Sequence, residues 1–209
     1  TIANRKITIS IPRKQEYKNH VYFSHTDLLR DIISSAFPNE YSSGLVSVME
    51  IPTDYGSATK FVGVLMALNY FTADYWLVCD DDLLYDKEML QRYDHFYNTT
   101  PPTAEHGPVA TFFRKKTHRM RIHLFKNHIF VYHVQGADTY VFPDITLRRQ
   151  VEMALPCSLT HFTRMLHHLY DVCPDTFLYD DYSVSYIITV SNMKLASLYN
   201  GSYALYKEH

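Results

Sequence analysis

Apolar and polar positions along the first part of the chain predict strands and helices in alternation. Residues 6–11 alternate polar and apolar side chains, as in a half-buried strand, and residues 45–51 form a second strand-like segment. Between these two segments, residues 27–37 place apolar side chains on one helical face. A second helix is predicted from about Ser57, its expected N-cap, to about Tyr70.

Residues 75–82, which follow this helix, are the central segment of the predicted fold. Five apolar or aromatic residues at 75–79 run directly into Asp80, Asp81 and Asp82. A short unbroken apolar run is typical of a strand buried on both faces, the kind found in parallel sheets. The order strand, helix, strand, helix, strand implies right-handed crossovers and a mostly parallel sheet.

The rest of the chain predicts more elements of both kinds. We therefore expect an α/β fold in one domain, residues 1–209, with a central, mostly parallel twisted sheet, flanking helices and a small antiparallel portion. Further helices are predicted over residues 86–97, 148–153 and 162–170 and from residue 180 or 181 to residue 188, and further strands over residues 109–113, 129–134, 139–142 and 195–199.

Composition narrows the class of protein. A hydrophobic fraction of 46% suffices for a full core, and a net charge of −2 does not suit a protein devoted to nucleic acid or anionic lipid. We find no apolar run of about 18 residues, so no membrane span is expected, and residues 1–5 lack a signal-peptide pattern. Cys79, Cys157 and Cys173 form no Cys-x-x-Cys pair, which fits a reducing compartment. We expect a cytoplasmic location.

The three consecutive aspartates are the first candidate for chemistry. In an extended chain alternate side chains point the same way, so Asp80 and Asp82 share one face. Adjacent carboxylates repel one another unless a cation lies among them, and Mg²⁺ or Mn²⁺ prefers such oxygen ligands. The alternative is an exposed turn in which one aspartate caps the next helix, although a cap needs only one. Both interpretations stay open on these residues alone.

The loop at residues 52–60 is the second candidate. A helix beginning near Ser57 would direct free N–H groups and a positive dipole end at an anion, and Lys60 adds a mobile charge suited to phosphate. Asp54 could accept a hydrogen bond from a base or a ribose. The alternative is an ordinary solvated helix start. A divalent ion beside this loop would stabilise a departing diphosphate, which points to a nucleotide diphosphate whose sugar is transferred.

Two motifs resemble those of a known enzyme class. Asp80-Asp81-Asp82 after an apolar strand resembles the D-x-D motif of nucleotide-sugar glycosyltransferases with the GT-A fold, and residues 54–60 look like the D-x-G-x-A-T-K element of a subset of small glycosyltransferases. Over residues 6–192 the chain is similar to the amino-terminal glycosyltransferase domain of a chlorovirus protein that builds capsid glycans. The resemblance implies a Rossmann-like GT-A domain, a UDP-sugar donor, Mn²⁺ or Mg²⁺ as cofactor, and a glycan or glycoprotein acceptor.

The resemblance also implies roles for individual residues. Asp82 would bind the metal directly, and Asp80 would contact the metal or the ribose. The end of the first strand would cup the uracil, Asp54 would contact uracil or ribose, and Lys60 would approach the nucleotide. The implied cofactor-binding residues are Ser10, Arg13, Asp54, Lys60, Asp80, Asp81, Asp82 and Gly136.

Later residues are implied on the acceptor side. Gly136-Ala137-Asp138 looks like the glycine-containing loop that borders donor sugar and acceptor, and Asp180-Asp181 is similar to the acidic pair that faces the acceptor. In inverting members one carboxylate of that pair is the catalytic base, whereas retaining members need none, so the stereochemical course stays open. His133 and His209 are candidates for a further metal ligand, with packing or surface positions as the alternative.

Two other functions compete with this hypothesis. Clustered aspartates also serve two-metal nucleotidyltransferases and phosphohydrolases, which would need a second ion about 4 Å from the first. A non-catalytic carbohydrate-binding or cation-binding module is compatible with the 18 tyrosines and the acidic loop. The basic cluster at residues 114–121 indicates either a solvated hairpin or a phosphate site.

Overall fold

The structure of the protein is a computed structural model, and it describes most of the chain in segments. The described residues are 6–17, 20–23, 26–80, 85, 88–101, 109–112, 121–124, 130–133, 139–152, 158–173, 185, 188, 193, 195–199 and 202–205.

Three strands and two helices come first, strands and helices then alternate from Val46 to Thr99, and four strands follow in the middle of the chain. The strands are β1 (Ile7–Pro12), β2 (Lys14–Tyr17), β3 (His20–Phe23), β4 (Val46–Ile51), β5 (Tyr75–Cys79), β6 (Val109–Phe112), β7 (Arg121–Leu124), β8 (Phe130–His133), β9 (Thr139–Pro143), β10 (Leu195–Tyr199) and β11 (Ser202–Leu205). The helices are α1 (Thr26–Ala36), α2 (Pro38–Ser42), α3 (Thr59–Ala67), α4 (Met89–Thr99), α5 (Asp144–Glu152) and α6 (Leu159–Val172), and a 3₁₀ turn (Gly56–Ala58) leads into α3.

The described strands form one larger mixed sheet and smaller pairs. The larger sheet has the order β11-β10-β6-β9-β5, in which only the β10–β6 pairing is parallel. β1 and β4 pair in parallel from Ile7 opposite Val46 to Pro12 opposite Ile51. β2–β3 and β7–β8 are antiparallel hairpins. The protein is therefore a mixed α/β structure.

Helices cover both faces of the larger sheet, and β9 shows why. Its five residues are all buried, and alternate side chains of a strand point to opposite faces. Tyr140 and Phe142 join a core cluster with residues of α3, α5 and α6, whereas Val141 joins a separate cluster with residues of α4. The result is three layers, with helix on either side of sheet.

α3 connects the β1–β4 pair to the larger sheet, because it contacts β1, β4 and β5. Seven of its nine residues are buried. Its Gly63 allows a close approach to β1, because a Cβ atom at this position would overlap Ser10 Oγ and lie 2.9 Å from Ser10 Cβ. A side chain at position 63 would therefore separate the helix from the strand.

A buried carboxylate joins three of these elements. Asp144, the first residue of α5, accepts a hydrogen bond from Trp76 Nε1 of β5 at 2.6 Å and one from Arg148 Nε at 2.5 Å. The Arg148 guanidinium also donates to the carbonyl oxygens of Leu68 and Phe71, just after α3. The network ties the end of α3 to the start of α5 and to β5.

Several predicted elements are confirmed with small shifts of boundary. β1, β4, β5, α1, α3, α4, α5, α6, β6, β8, β9 and β10 lie within or across the predicted segments. Of the helix predicted up to residue 188, only Ser185 and Ile188 are described, both buried and in helical conformation. The hairpin β2–β3, the strands β7 and β11 and the short helix α2 were not predicted.

The predicted surroundings of β5 were wrong in two respects. β5 pairs antiparallel with β9, in a sheet with a single parallel pairing instead of the mostly parallel sheet that was expected, and only Val78 of its five residues is buried, although burial on both faces was predicted. The two differences have one cause. β9 is apolar on both faces and occupies the sheet interior, so β5 takes the outer place beside it, where partial exposure is tolerated.

Candidate functional site

An ion pair joins the end of β5 to the start of α3. The ammonium group of Lys60 contacts Asp80 Oδ1, and the two side chains are 22% and 35% exposed. Lys60 lies in the first turn of α3 and Asp80 directly follows β5, so the two predicted candidate segments meet in space. The cation beside the Asp80 carboxylate is therefore a lysine of the protein itself.

Tyr85 holds the backbone at Asp80. The Asp80 N–H donates to the Tyr85 hydroxyl at 2.7 Å, and that hydroxyl donates to the Asp80 carbonyl oxygen at 2.9 Å. The side chain thus satisfies both polar groups of a residue that has just left the sheet. Sequence reasoning missed this role, because a tyrosine in a loop carries no signal that distinguishes it from a packing residue.

Cys79, the last residue of β5, directly precedes Asp80 and lies beside the pair. Its pKa is raised, chiefly because neighbouring atoms desolvate the thiol; Lys60 opposes this shift and Asp80 adds to it. The thiol therefore stays protonated at neutral pH and is a weak nucleophile.

The loop before α3 is ordered by its own side chains. Asp54 Oδ1 accepts the Gly56 N–H at 2.8 Å, and Thr59 Oγ1 accepts the Tyr55 N–H at 3.0 Å. Gly56 has a φ of 56°, in the left-handed region that favours glycine. The expected N-cap at Ser57 was wrong: Ser57 lies inside the 3₁₀ turn and α3 begins at Thr59, because the loop N–H groups are already bound by Asp54 and Thr59.

The two candidates near the end of β1 have different surroundings. Ser10 faces α3, with its hydroxyl against Gly63. Arg13 Nε donates to Glu50 Oε1 at 2.6 Å and its side chain is 68% exposed. The pKa of Glu50 is lowered, first by this hydrogen bond from Arg13, although desolvation opposes the shift. Ser10 therefore lies between strand and helix, and Arg13 lies at the surface beside β4.

The other predicted site residues lie outside the described part of the chain. These are Asp81, Asp82, Gly136, Asp138, Asp180, Asp181 and His209, together with residues 114–120 of the basic cluster. His133 is the last residue of β8, and Arg121 opens β7 opposite it. Within the described residues, no three His, Cys, Asp or Glu side chains converge as a metal site would require.

No known protein family, curated protein sequence or solved structure matched the chain. Among the helices of the described segments, none has the length and apolar character needed to cross a bilayer.

Proposed function

We propose that the protein is a metal-dependent glycosyltransferase, built on a single Rossmann-like GT-A domain, that transfers a sugar from a UDP-sugar to a glycan acceptor. The observation that carries this proposal is the contact between Lys60 and Asp80. It joins two segments that independently suggested phosphate binding and metal binding, although 20 residues separate them in sequence.

The chemistry of this pair suits a nucleotide diphosphate. Lys60 is mobile enough to move from a carboxylate to a phosphate oxygen, because its ammonium group ends a flexible stem. It lies in the first turn of α3, where the positive end of the helix dipole also favours an anion. A phosphate group of the donor and a divalent cation can therefore be bound close to each other.

The carboxylate of Asp80 fits a hard divalent ion. It is partly buried, has oxygen donors and already contacts a cation in the protein. Asp80 and Asp82 would hold Mn²⁺ or Mg²⁺, which when bound would stabilise negative charge on the departing diphosphate as a Lewis acid. Lys60 would then be released from Asp80 and its charge would be directed to the donor.

Other residues of the chain complete the proposal. Asp54 would bind uracil or ribose, and Ser10 and Arg13 would border the same ligand. Gly136 would line the passage between donor and acceptor. One carboxylate of Asp180 and Asp181 would accept the proton of the acceptor hydroxyl if the reaction inverts the anomeric centre. The proposed enzyme is cytoplasmic, and its acceptor is a glycan or glycoprotein, such as a viral capsid protein.

The experiment is a screen of UDP-sugars for hydrolysis and transfer in the presence of Mn²⁺ and of EDTA. We expect metal-dependent release of UDP from one donor, and NMR of the released sugar identifies the anomer. Asp82→Ala should abolish turnover, whereas the control Asp31→Ala, which alters an exposed carboxylate on α1, should not.

Other outcomes would replace the proposal. Release of pyrophosphate instead of UDP would indicate a two-metal nucleotidyltransferase. Binding of a glycan by a protein with no affinity for nucleotides would indicate a carbohydrate-binding module.

A further inference from the structure

One face of α6 contacts the loop that carries Asp54. The Tyr170 hydroxyl donates to the Tyr55 carbonyl oxygen at 2.8 Å, and the His167 ring lies 5.5 Å from the Tyr55 ring. His167 and Tyr170 are three residues apart, so they are neighbours on the helix surface. Two side chains of one helix therefore contact a single residue of this loop.

The rest of α6 is anchored on α3. Phe162 is fully buried and its ring lies edge-on to that of Phe61, with centroids 5.1 Å apart. Leu166, one turn along α6, is also fully buried in the same cluster. Tyr170 thus reaches the loop from a base that is fixed to the helix carrying Lys60.

The Tyr170 hydrogen bond acts on a single peptide unit. The carbonyl group of Tyr55 and the N–H group of Gly56 belong to the same planar peptide. Tyr170 donates to its oxygen, which also accepts the Ala58 N–H at 3.1 Å, and Asp54 Oδ1 binds its N–H at 2.8 Å. Without the Tyr170 hydroxyl the peptide could rotate more readily, because Gly56 accepts a wide range of backbone angles, and the Asp54 carboxylate would lose its fixed orientation.

We propose that Tyr170 is a positioning residue that holds the Asp54 carboxylate, through the Tyr55–Gly56 peptide, in the orientation that binds the nucleoside part of the donor. This inference rests on the proposed function. It gives a role in donor binding to a residue that lies on a different helix and is 115 residues from the carbonyl group it binds.

The test compares Tyr170→Phe with Tyr97→Phe. The control removes the same kind of bond, from a tyrosine hydroxyl to the Val141 carbonyl oxygen at 3.0 Å, between α4 and β9. Calorimetry would measure UDP binding in Mn²⁺, and Mn²⁺ binding without nucleotide. We expect Tyr170→Phe to weaken UDP binding about 3- to 10-fold, the loss of roughly one net hydrogen bond, with Mn²⁺ binding unchanged.

Hydrogen exchange gives a second measurement that needs no ligand. Amides of residues 54–60 should exchange faster in Tyr170→Phe than in Tyr97→Phe or the unaltered protein. If Tyr170→Phe does not fold, Tyr170→Met, which also removes the hydroxyl that donates to the Tyr55 carbonyl oxygen, replaces it with the same expected results.

The outcomes separate the inference from the proposed function. Unchanged UDP binding in Tyr170→Phe, or an equal loss in Tyr97→Phe, would overturn the inference alone. No binding of UDP by the unaltered protein would overturn both.

Discussion

At the scale of single residues, the candidate site is defined by the ion pair between Lys60 and Asp80. Both side chains are partly buried, so their attraction is screened less than that of a fully exposed pair. The pair still contributes little to the fold, because partly solvated ion pairs typically stabilise a protein by about 1 kcal/mol or less. We infer that ligand binding, rather than stability, is the main effect of Lys60.

Replacing Lys60 by methionine tests that inference. We expect Lys60→Met to weaken UDP binding in Mn²⁺ about 10- to 100-fold, because a charge-assisted hydrogen bond to phosphate is lost. The free energy of unfolding should fall by about 1 kcal/mol or less. Calorimetry and denaturant unfolding measure the two quantities. Arg30→Met, which removes the exposed pair with Asp27, serves as the control, and equal UDP affinity in both variants would contradict the role of Lys60.

Gly63 offers a prediction about packing. Gly63→Ala should lower the free energy of unfolding by about 1–3 kcal/mol, because its methyl group would overlap Ser10 and push α3 from β1. Denaturant unfolding measures the loss. The same substitution should cost less when Ser10 is replaced by glycine, since the overlapping atoms are then absent. An equal loss in both backgrounds would show that the helix is not held against the strand at this point.

At the scale of elements, the network around Asp144 decides how α5 joins the sheet. Asp144 is 7% exposed and accepts hydrogen bonds from Trp76 on β5 and from Arg148 one turn along α5. Its charge also lies at the positive end of the α5 dipole. The carboxylate therefore accepts hydrogen bonds from two partly buried side-chain donors that would otherwise lack this acceptor.

Substitution of Asp144 should reveal this dependence. Asp144→Ala is expected to cost about 2–4 kcal/mol of unfolding free energy, because it leaves the Arg148 guanidinium and the Trp76 N–H without their carboxylate. Asp144→Asn should cost less, since its side-chain oxygen still accepts one of the two bonds. Thermal and denaturant unfolding measure both. Losses of equal size would mean that the negative charge of the carboxylate, which both variants lack, and not the remaining acceptor oxygen, decides the stability there.

The sequence predicted individual elements better than their pairing. Apolar periodicity located β1, β4, β5 and most helices, because those elements bury one face or one run of side chains. β2 and β3 escaped detection, since their pairing with each other depends on backbone hydrogen bonds that hydropathy does not report. The antiparallel partner of β5 was not predicted either, because hydropathy does not report pairing and β9 lies far along the chain.

In the candidate site, too, individual residues were predicted better than their contacts. Lys60 and Asp80 were predicted as candidates in separate segments, and the structure brings them into contact although the sheet around β5 is not the parallel one that was expected. The roles of Tyr85 and Tyr170 could not be predicted, because each depends on a hydroxyl reaching a backbone group of a residue that only the folded chain brings near.

At the scale of the whole molecule, β9 is the strand on which the three layers converge. It lies between β6 and β5, and its two faces contribute to the two separate core clusters. The β1–β4 pair, by contrast, is half-exposed along most of its length. The stability of the molecule is therefore expected to be uneven, with its maximum at β9.

Native-state hydrogen exchange tests this distribution. Amides of β9 that bond to β5 and β6 should exchange last, because only global unfolding exposes them, whereas amides of β1 and β4 should exchange earlier through local opening. Mass spectrometry of peptides from both regions measures the rates. Exchange of β9 as early as that of β1 would contradict the layered core described here.

The pairing of Trp76 with Phe142 also affects the order in which the strands can form during folding. During synthesis β5 leaves the ribosome well before β9 exists, so the strand that presents Asp80 emerges without the neighbour it will later pair with. Closing so long a loop is entropically slow, while α1 and α3 can form from nearby residues at once. Asp80 at the end of β5 thus reaches its final setting late, only after residues 139–143 have been made.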